Sequence, residues 1–192
     1  MKQHISKVTS TCYYHQRRLH QIHNYISCET TIQLVMSLVI YRIDYCNSVP
    51  VGLAASTLAP LQCVQNAAAQ LILGLSRRSH ITPALEQLHW LPTKFRIIFT
   101  VATTMHNVFH QRFPPYLTDL VTFSVSGSQR RQLVISSQVR RCPLNNNLVQ
   151  STCFSVCGPD IWNSLPVNIR LTGSHAAFRR ALKTQLFNTA FI

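Results

Sequence analysis

Two strings of sequence decide the fold: LAPLQCVQNAAAQLILGLS at residues 58–76 and SHITPALEQLHWLP at residues 79–92. In the first string the larger side chains recur three or four positions apart, which is the spacing of one helix face. Its run of alanines favours helix and close packing, and Gly74 is placed to end the helix. In the second string Thr82 can cap a short helix, which Pro92 stops. The pattern predicts two helices that meet at a corner.

Apolar periodicity predicts further helices on either side of these two strings. One helix is expected from about Cys12, and a second, apolar on nearly all sides, follows a cap at Ser27. After Pro92, the stripe from Phe95 to Phe109 is the clearest amphipathic segment of the chain. Ser174 is placed to cap a last helix that has one apolar and one basic face. These patterns predict a mainly α fold, built as a helical bundle.

The C-terminal part of the chain is a different kind of sequence. Ser, Gln, Arg and Asn dominate residues 122–147, which predicts a mobile basic loop at the start of a loop-rich extension. A short strand at Leu133–Ser136 is expected to pair with Leu148–Val156 as a β-hairpin. The predicted organisation has four parts: a disordered N-terminus at 1–11, a helical domain at 12–121, the loop at 122–147 and the extension at 148–192.

The composition is strongly basic. In a chain of 192 residues, 18 Lys and Arg face 5 Asp and Glu, which gives a formal net charge of +13. Most of the basic residues are arginine, the side chain best matched to phosphate. This balance suggests a polyanionic partner, and RNA or DNA duplex is the partner that we expect.

The cysteines and the hydropathy of the chain suggest the cellular compartment in which the protein resides. Seven cysteines without framework-like spacing indicate reduced thiols in an intracellular protein, and they leave nucleus and cytoplasm equally open. The polar start of the chain has no apolar core of the kind that a signal peptide needs. The most apolar run, Ile32–Tyr41, is too short to span a bilayer, so no membrane partner is expected.

The carboxylates do not suit a two-metal polymerase site, which needs paired acidic residues to hold magnesium. The acidic residues are scattered along the chain: Glu29, Asp44, Glu86, Asp119 and Asp160. Asp44 is expected to cap a helix end or to pair with Arg42 rather than to bind metal. The sequence predicts no catalytic residue, no metal and no cofactor, and therefore no enzyme.

Two other sets of side chains have both a chemical and a structural interpretation. Zinc-capable residues gather near the start of the chain, without the second pair that a zinc finger requires: Cys12, His15, His20, His23 and Cys28. His89 and His106 sit inside apolar patterns and are expected to be hydrogen-bonded helix residues. Trp90 and Trp162 have the rings to stack on bases, but each adjoins Leu-Pro and is expected to pack into a corner.

Four arginine doublets are the candidate nucleic-acid contacts. They are Arg77 and Arg78, Arg130 and Arg131, Arg140 and Arg141, and Arg179 and Arg180. Each doublet alone can be a solvated surface. Taken together, with so few acids in the chain, they predict contact with phosphate. The first and last doublets are preferred because helices flank or carry them and fix their direction.

Several ordered strings carry a family resemblance that covers nearly the whole chain. They are YRIDYCNSV, VQNAAA, SHITPALEQLHWLPTKFRI, PPYLTDL, FSVCGPDIWNSLP and FRRALKTQLF. Together they resemble the region after the catalytic core in jockey-like, LINE-type non-LTR retrotransposon reverse transcriptases, which are RNA-directed DNA polymerases. The resemblance implies that residues 29–75 occupy the place of the thumb, which grips the template–primer duplex. It implies that the catalytic palm lies upstream of residue 1 and that the rest of the parent enzyme is a partner.

The chain departs from the family pattern at positions that matter for binding. Cys63 and Gln70 stand where the resembled sequences usually have arginine, and residues 132–152 hardly match at all. Deamination of arginine codons produces both changes. We therefore expect a truncated, decayed fragment of a transposable element that retains nucleic-acid binding at most. The alternative is a non-catalytic helical interaction module whose apolar faces packed on the missing polymerase core.

Overall fold

The computed structural model describes residues 2–45, 54–76, 78–113, 123–126, 130–133 and 154–191. It is mainly helical, so the predicted fold class is confirmed. Its α-helices, in chain order, are α1 (Lys2–Ile22), α2 (Cys28–Val35), α3 (Tyr41–Tyr45), α4 (Ala55–Leu73), α5 (Thr82–Gln87), α6 (Thr93–Phe109), α7 (Phe154–Ser164), α8 (Val167–Arg170) and α9 (His175–Phe191). A 3-10 turn at His23–Tyr25, a π-helical segment at Met36–Ile40 and the strands β1 (Phe123–Ser126) and β2 (Arg130–Leu133) complete the described elements.

The chain forms two compact units. Unit 1 comprises Met1–Ile97 with Thr189–Ile192, and unit 2 comprises Ile98–Asn188. The division falls inside α6, whereas the sequence placed a domain boundary at residue 121. Apolar residues continue across the division, so their periodicity predicts one uninterrupted helix at this place.

Helix α1 begins at Lys2, so the predicted disorder of residues 1–11 is wrong for residues 2–11. Ile5, Cys12 and Leu19 recur seven positions apart and are buried. Gln16 completes this face, since its Nε2 donates to the Val64 carbonyl of α4 at 2.8 Å. One large apolar side chain every two turns is a sparse stripe. Because polar residues stand between these positions, the sequence pattern did not predict the first part of this helix.

The residues from Cys28 to Tyr45 form one helical stretch with a π turn in its middle. Ser27 caps α2 as predicted, because its hydroxyl accepts the Thr30 N–H at 3.2 Å. In the π turn, the N–H of Tyr41 donates to the carbonyl of Met36, five residues back. The stretch packs against α1 and α4 and buries Thr31, Val35, Val39, Ile40 and Ile43.

Helix α4 lies at the centre of unit 1 and packs against α1, α2 and α5. Gly74 ends it, as predicted, in the left-handed conformation with φ of 62°, and the Leu75 N–H donates to the Gln70 carbonyl at 2.9 Å. The buried cluster around α4 comprises Cys12, Leu19, Val35, Val39, Ile40, Ile43, Val64, Ala68, Ala69, Ile72, Ala84, Leu85 and Trp90. The packing expected for Trp90 is therefore confirmed.

Amide side chains of α4 hold the turn between α5 and α6. Gln65 is fully buried; its Nε2 donates to the Leu91 carbonyl at 2.8 Å, and its Oε1 accepts from Thr93 Oγ1 at 3.0 Å. The Oε1 of Gln62 accepts the Thr93 N–H at 2.8 Å. That N–H belongs to the first residue of α6 and therefore has no acceptor within the helix. The two predicted helices, α4 and α5, are in contact, and polar side chains of α4 fix the turn that follows α5.

Helix α5 differs from prediction at both ends. It begins at Thr82, with Ile81 in the capping position and no side-chain cap, so Thr82 is a helical residue and not the cap. His89 lies beyond the helix in the left-handed region, with φ of 52°. The next N–H, that of Trp90, donates to the Leu85 carbonyl at 2.9 Å and closes the helix end. His89 is thus a turn residue, and its expected place in a helix is wrong.

Unit 2 contains the rest of α6, the two strands, α7, α8 and most of α9. Strand β1 pairs antiparallel with β2, with Phe123 opposite Leu133 and Ser126 opposite Arg130. The predicted partner strand Leu148–Val156 is wrong at residues 154–156, which begin α7; its other residues and residues 134–136 lie outside the described part of the chain. Gly158 of α7 lies against Met105 of α6, where an added Cβ would meet the Met105 side chain. The predicted final helix is confirmed as α9.

Candidate nucleic-acid interface

The basic surface of α9 consists of Arg179, Arg180 and Lys183, and we call it the α9 basic face. All three side chains are exposed. Lys183 stands four positions after Arg179 and three after Arg180, which places it beside both on the same side of the helix. The buried residues Phe178, Leu182 and Leu186 form a separate apolar face. Helix α9 contains no acidic residue, so no carboxylate of the same helix competes for these charges.

An aromatic contact orients one of the three cations. The guanidinium carbon of Arg179 lies 5.7 Å from the centroid of the Phe99 ring, in a cation–π contact within unit 2. Phe99 belongs to α6 and is half-buried. The contact holds the stem of Arg179 against the protein surface while the guanidinium stays exposed. Its N–H groups therefore remain available to an anion in solution.

Of the first predicted doublet, the structure describes Arg78. Arg78 is exposed and follows the left-handed end of α4, and its backbone N–H lies 3.4 Å from the hydroxyl oxygen of Ser76. Arg77 lies outside the described residues. Arg78 belongs to unit 1 and the α9 basic face to unit 2. Each is therefore a separate surface in its own unit.

The two middle doublets fall in the C-terminal extension. Arg130 and Arg131 lie on β2, where their backbones pair with Ser126 and Val125 of β1. Arg140 and Arg141 lie outside the described residues. The sequence had placed all four in a mobile loop, and the first pair instead belongs to a strand.

One acidic residue of unit 1 has a partner that the sequence did not indicate. Asp44 of α3 accepts from Arg96 of α6 at both carboxylate oxygens, with Nε donating to Oδ1 at 2.8 Å. The side chains are 34% and 17% exposed, respectively. The expected partner, Arg42, stands two positions earlier and is exposed. Arg96 is 52 residues away in sequence, and spacing alone gives no means of finding such a partner.

Sequence reasoning also missed a cluster of histidines in unit 2, formed by His106 in the last turn of α6, His110 directly after that helix and His175 of α9. The ring of His106 is fully buried; its centroid lies 4.3 Å from that of His110 and 5.6 Å from that of His175. Its Nε2 bonds the Thr172 carbonyl at 3.0 Å, so the expected hydrogen-bonded helix histidine is confirmed. Three histidines spread over 70 residues gave no pattern that the sequence could show.

The same cluster has an unusual electrostatic environment. Burial lowers the pKa of His106 to about 4, and the positive charges of His110, His175 and Arg112 act in the same direction. The hydrogen bond to Thr172 opposes them. Phe178 stacks on His106 with centroids 4.2 Å apart, and Trp162, which is 2% exposed, packs on Phe178. Trp162 is thus a packing residue, as expected.

The zinc-capable residues of α1 and α2 are not gathered at one point. The Cys12 thiol is buried and faces the Val39 carbonyl at 4.0 Å, whereas Cys28 is exposed. Within the described ranges, no group of three or more His, Cys, Asp or Glu side chains is placed to hold a metal ion. Among the helices described, none is both long and apolar enough to cross a bilayer.

Comparisons with known proteins add no relative: no protein-family model, no curated protein and no solved structure matches the chain.

Proposed function

We propose that this chain is a non-catalytic fragment of a LINE-type reverse transcriptase, from the region after the catalytic core, and that it binds duplex nucleic acid weakly through phosphate. The observation that carries the binding is the α9 basic face, with three exposed cations on one side of a helix that has no acid. The family assignment stands on the sequence strings that resemble these enzymes.

The α9 basic face suits phosphate better than it suits a protein carboxylate. Two of its three cations are arginines, whose guanidinium groups can donate two parallel bonds to a phosphate. Arg179, Arg180 and Lys183 extend over about one turn of helix, roughly 6 Å, which is close to the spacing of successive phosphates along a strand. We expect these cations to contact the phosphate backbone rather than base edges, so the binding should have no sequence preference.

The proposal excludes polymerase chemistry. The acidic residues of the described segments are Glu29, Asp44, Glu86 and Asp160. Asp44, which stands in YRIDYC, is engaged by Arg96 rather than by another carboxylate. Two-metal phosphoryl transfer needs carboxylates that share an ion. We expect the purified chain not to extend a primer on an RNA template with magnesium or manganese.

The test is a salt titration of binding to a fluorescein-labelled 20-base-pair duplex, followed by anisotropy. Neutralising about three phosphates gives a log–log salt slope near −3. The triple change Arg179→Ala, Arg180→Ala and Lys183→Ala should weaken binding equally for DNA and RNA–DNA hybrids of any sequence, and bring the slope close to zero. A binding affinity that does not change with salt would overturn the proposal.

Two controls separate local contact from global charge and from unfolding. Lys7, Arg17 and Arg18 of α1 are exposed, and replacing them with alanine removes the same net charge from unit 1. This control should change the slope much less than the α9 variant does. Arg179→Lys with Arg180→Lys keeps the charge and should retain affinity within a few-fold. Equal losses from the α1 and α9 variants would show that only net charge matters.

The second candidate function is a protein-interaction module, and exposed tyrosines of unit 1 favour it. Tyr41 and Tyr45 lie on successive turns of α3 and are 63% and 82% exposed, and Tyr25 is 88% exposed. Aromatic residues in such positions are typical of interfaces. This alternative predicts concentration-dependent self-association by analytical ultracentrifugation, which Tyr41→Ser with Tyr45→Ser should abolish without changing the salt slope of duplex binding.

A further inference from the structure

The histidine cluster of unit 2 lies where the last helix meets α6 and α7. His106 lies in the last turn of α6 and contacts groups that belong to α9 or to the segment before it. Its ring stacks on Phe178 at 4.2 Å, lies 5.6 Å from His175, and bonds the Thr172 carbonyl at 3.0 Å. Trp162 of α7 is 6.3 Å away. A change in the charge of this one ring therefore acts directly on the contacts that hold α9.

The cluster accommodates neutral His106 and not its cation. In the neutral ring, Nε2–H donates to Thr172, which leaves Nδ1 as the basic nitrogen. This Nδ1 is buried and has no hydrogen-bond partner. Protonation would turn Nδ1 into a second buried donor, at a nitrogen that makes no hydrogen bond in the structure. A buried donor without an acceptor, carrying charge, is strongly disfavoured.

The groups around His106 make its cation still less favourable. His110 and Arg112 act on it from the segment directly after α6, and His175 acts from the first position of α9. From the segment of α8, the buried Nε of Arg170 also lacks a hydrogen-bond partner. Asp160 of α7 is the one acidic residue in the described part of unit 2, and it is exposed. No carboxylate among these described neighbours is placed to neutralise an imidazolium.

We propose that the histidine cluster is a proton-operated latch, in which acidification releases residues 175–188 of α9 from α6 and α7 and exposes Phe178 and Trp162. The folded cluster binds fewer protons than the released chain, because burial lowers the pKa of His106 to about 4 from the ordinary value near 6.5. The latch is therefore closed above about pH 6.5 and loses stability as the pH falls from there towards about 4. This device does not depend on the proposed nucleic-acid binding.

The two tryptophans report on the two units separately. The full chain is labelled with 5-fluorotryptophan, and the ¹⁹F signals are assigned with Trp90→Phe. Trp162 reports on unit 2, and Trp90, which is buried in unit 1, is the internal control. Between pH 7 and pH 4, the Trp162 signal should acquire the solvent-isotope shift of an exposed indole. The Trp90 signal should keep its buried position over the same range.

Variants tie this transition to His106. His106→Gln places an amide donor near the Nε2 position and cannot take up a proton, so the Trp162 transition should move to lower pH by about one unit or more. His80→Gln, at an exposed position of unit 1, should leave the transition unchanged. If His106→Gln does not fold, amide hydrogen exchange in the unaltered chain decides, since amides of α9 should lose protection at higher pH than amides of α4.

Three results would overturn the latch. One is a simultaneous change of both tryptophan signals, which would mean that the whole chain unfolds. Another is an unchanged Trp162 transition in His106→Gln. The third is a His106 imidazole signal that titrates near pH 6.5 while Trp162 stays buried.

Discussion

Replacing Gln65 tests whether polar side chains hold the corner that organises unit 1. Gln65 is fully buried on α4 and makes two hydrogen bonds, from Nε2 to the Leu91 carbonyl at 2.8 Å and to Oε1 from Thr93 Oγ1 at 3.0 Å. Gln65→Leu keeps the volume of the side chain and removes both bonds. The Leu91 carbonyl and the Thr93 hydroxyl are then left buried without partners.

The magnitude follows from the two stranded groups. A buried polar group that loses its partner costs about 1–3 kcal/mol, so Gln65→Leu should lower the free energy of unfolding by roughly 2–5 kcal/mol. Gln65→Ala should cost more, because it also leaves a cavity. The measurement is urea denaturation at pH 7, followed by far-UV circular dichroism. Gln70→Leu, on the half-buried outer side of the same helix, is the matched control and should change stability by no more than about 0.5 kcal/mol.

A double-mutant cycle separates the hydrogen bonds from packing. Thr93→Val removes the stranded hydroxyl, so its cost should be smaller in the Gln65→Leu background than in the native chain, with a coupling of about 1–2 kcal/mol. The Gln62 contact to the Thr93 N–H is unaffected by either change. Strict additivity of the two substitutions, or a cost of Gln65→Leu no larger than that of Gln70→Leu, would refute the reasoning.

Three further predictions concern the ion pair, the end of α4 and its outer face. In a double-mutant cycle of Asp44→Ala with Arg96→Ala, a part-buried pair with two parallel bonds should show a coupling of about 1–2 kcal/mol that weakens in 1 M salt; no coupling would mean that the pair adds nothing. Gly74→Ala should cost about 1 kcal/mol in urea denaturation purely from its φ of 62°, since an added Cβ would meet nothing within 4 Å; an unchanged midpoint would contradict this. Cys63→Arg with Gln70→Arg should leave the unfolding midpoint unchanged and tighten duplex binding with a steeper salt slope, and a loss of helix would show that these positions are not outward.

The helices were predictable where apolar residues recur densely, and less so elsewhere. The cap at Ser27 is a local feature, and the structure has it. Helix α6 also forms, but its buried apolar residues are Ile97, Val101, Ala102, Met105 and Val108, whereas Phe95 and Phe109 at the ends of the predicted stripe are half-buried. The predicted start of α1, at about Cys12, is too late, because the buried residues Ile5, Cys12 and Leu19 stand two turns apart with polar residues between them. The ends of α5 were misplaced because Thr82 and Pro83 fit both the cap and the first turn. A helix end set by a left-handed His89 has no sequence signature comparable to that of a glycine.

The candidate site residues also fall into those that local spacing predicted and those that it did not. That Arg179 and Arg180 share a helix with a basic side follows from spacing, and the structure confirms their exposure. The cation–π contact of Arg179 with Phe99 could not be predicted from the sequence, because it requires the packing of α6 on α9 within unit 2. The partnership of Asp44 with Arg96 and the meeting of His106 with His175 likewise join residues that are distant in sequence. Such contacts are consequences of the fold, and local periodicity has no access to them.

The departures from the family pattern can be weighed against burial. Cys63 is exposed and Gln70 is half-buried on α4, seven positions apart and so on one side of the helix, whereas Gln65 between them is fully buried and hydrogen-bonded. Exchanging arginine for a neutral residue at an outward position removes charge and leaves the core untouched. Loss of binding and loss of folding are therefore separable in this chain. On the proposed function, a copy that has lost arginines from α4 can retain a stable unit 1, and its affinity for phosphate would then have to come from other surfaces, among which the α9 basic face is the best defined.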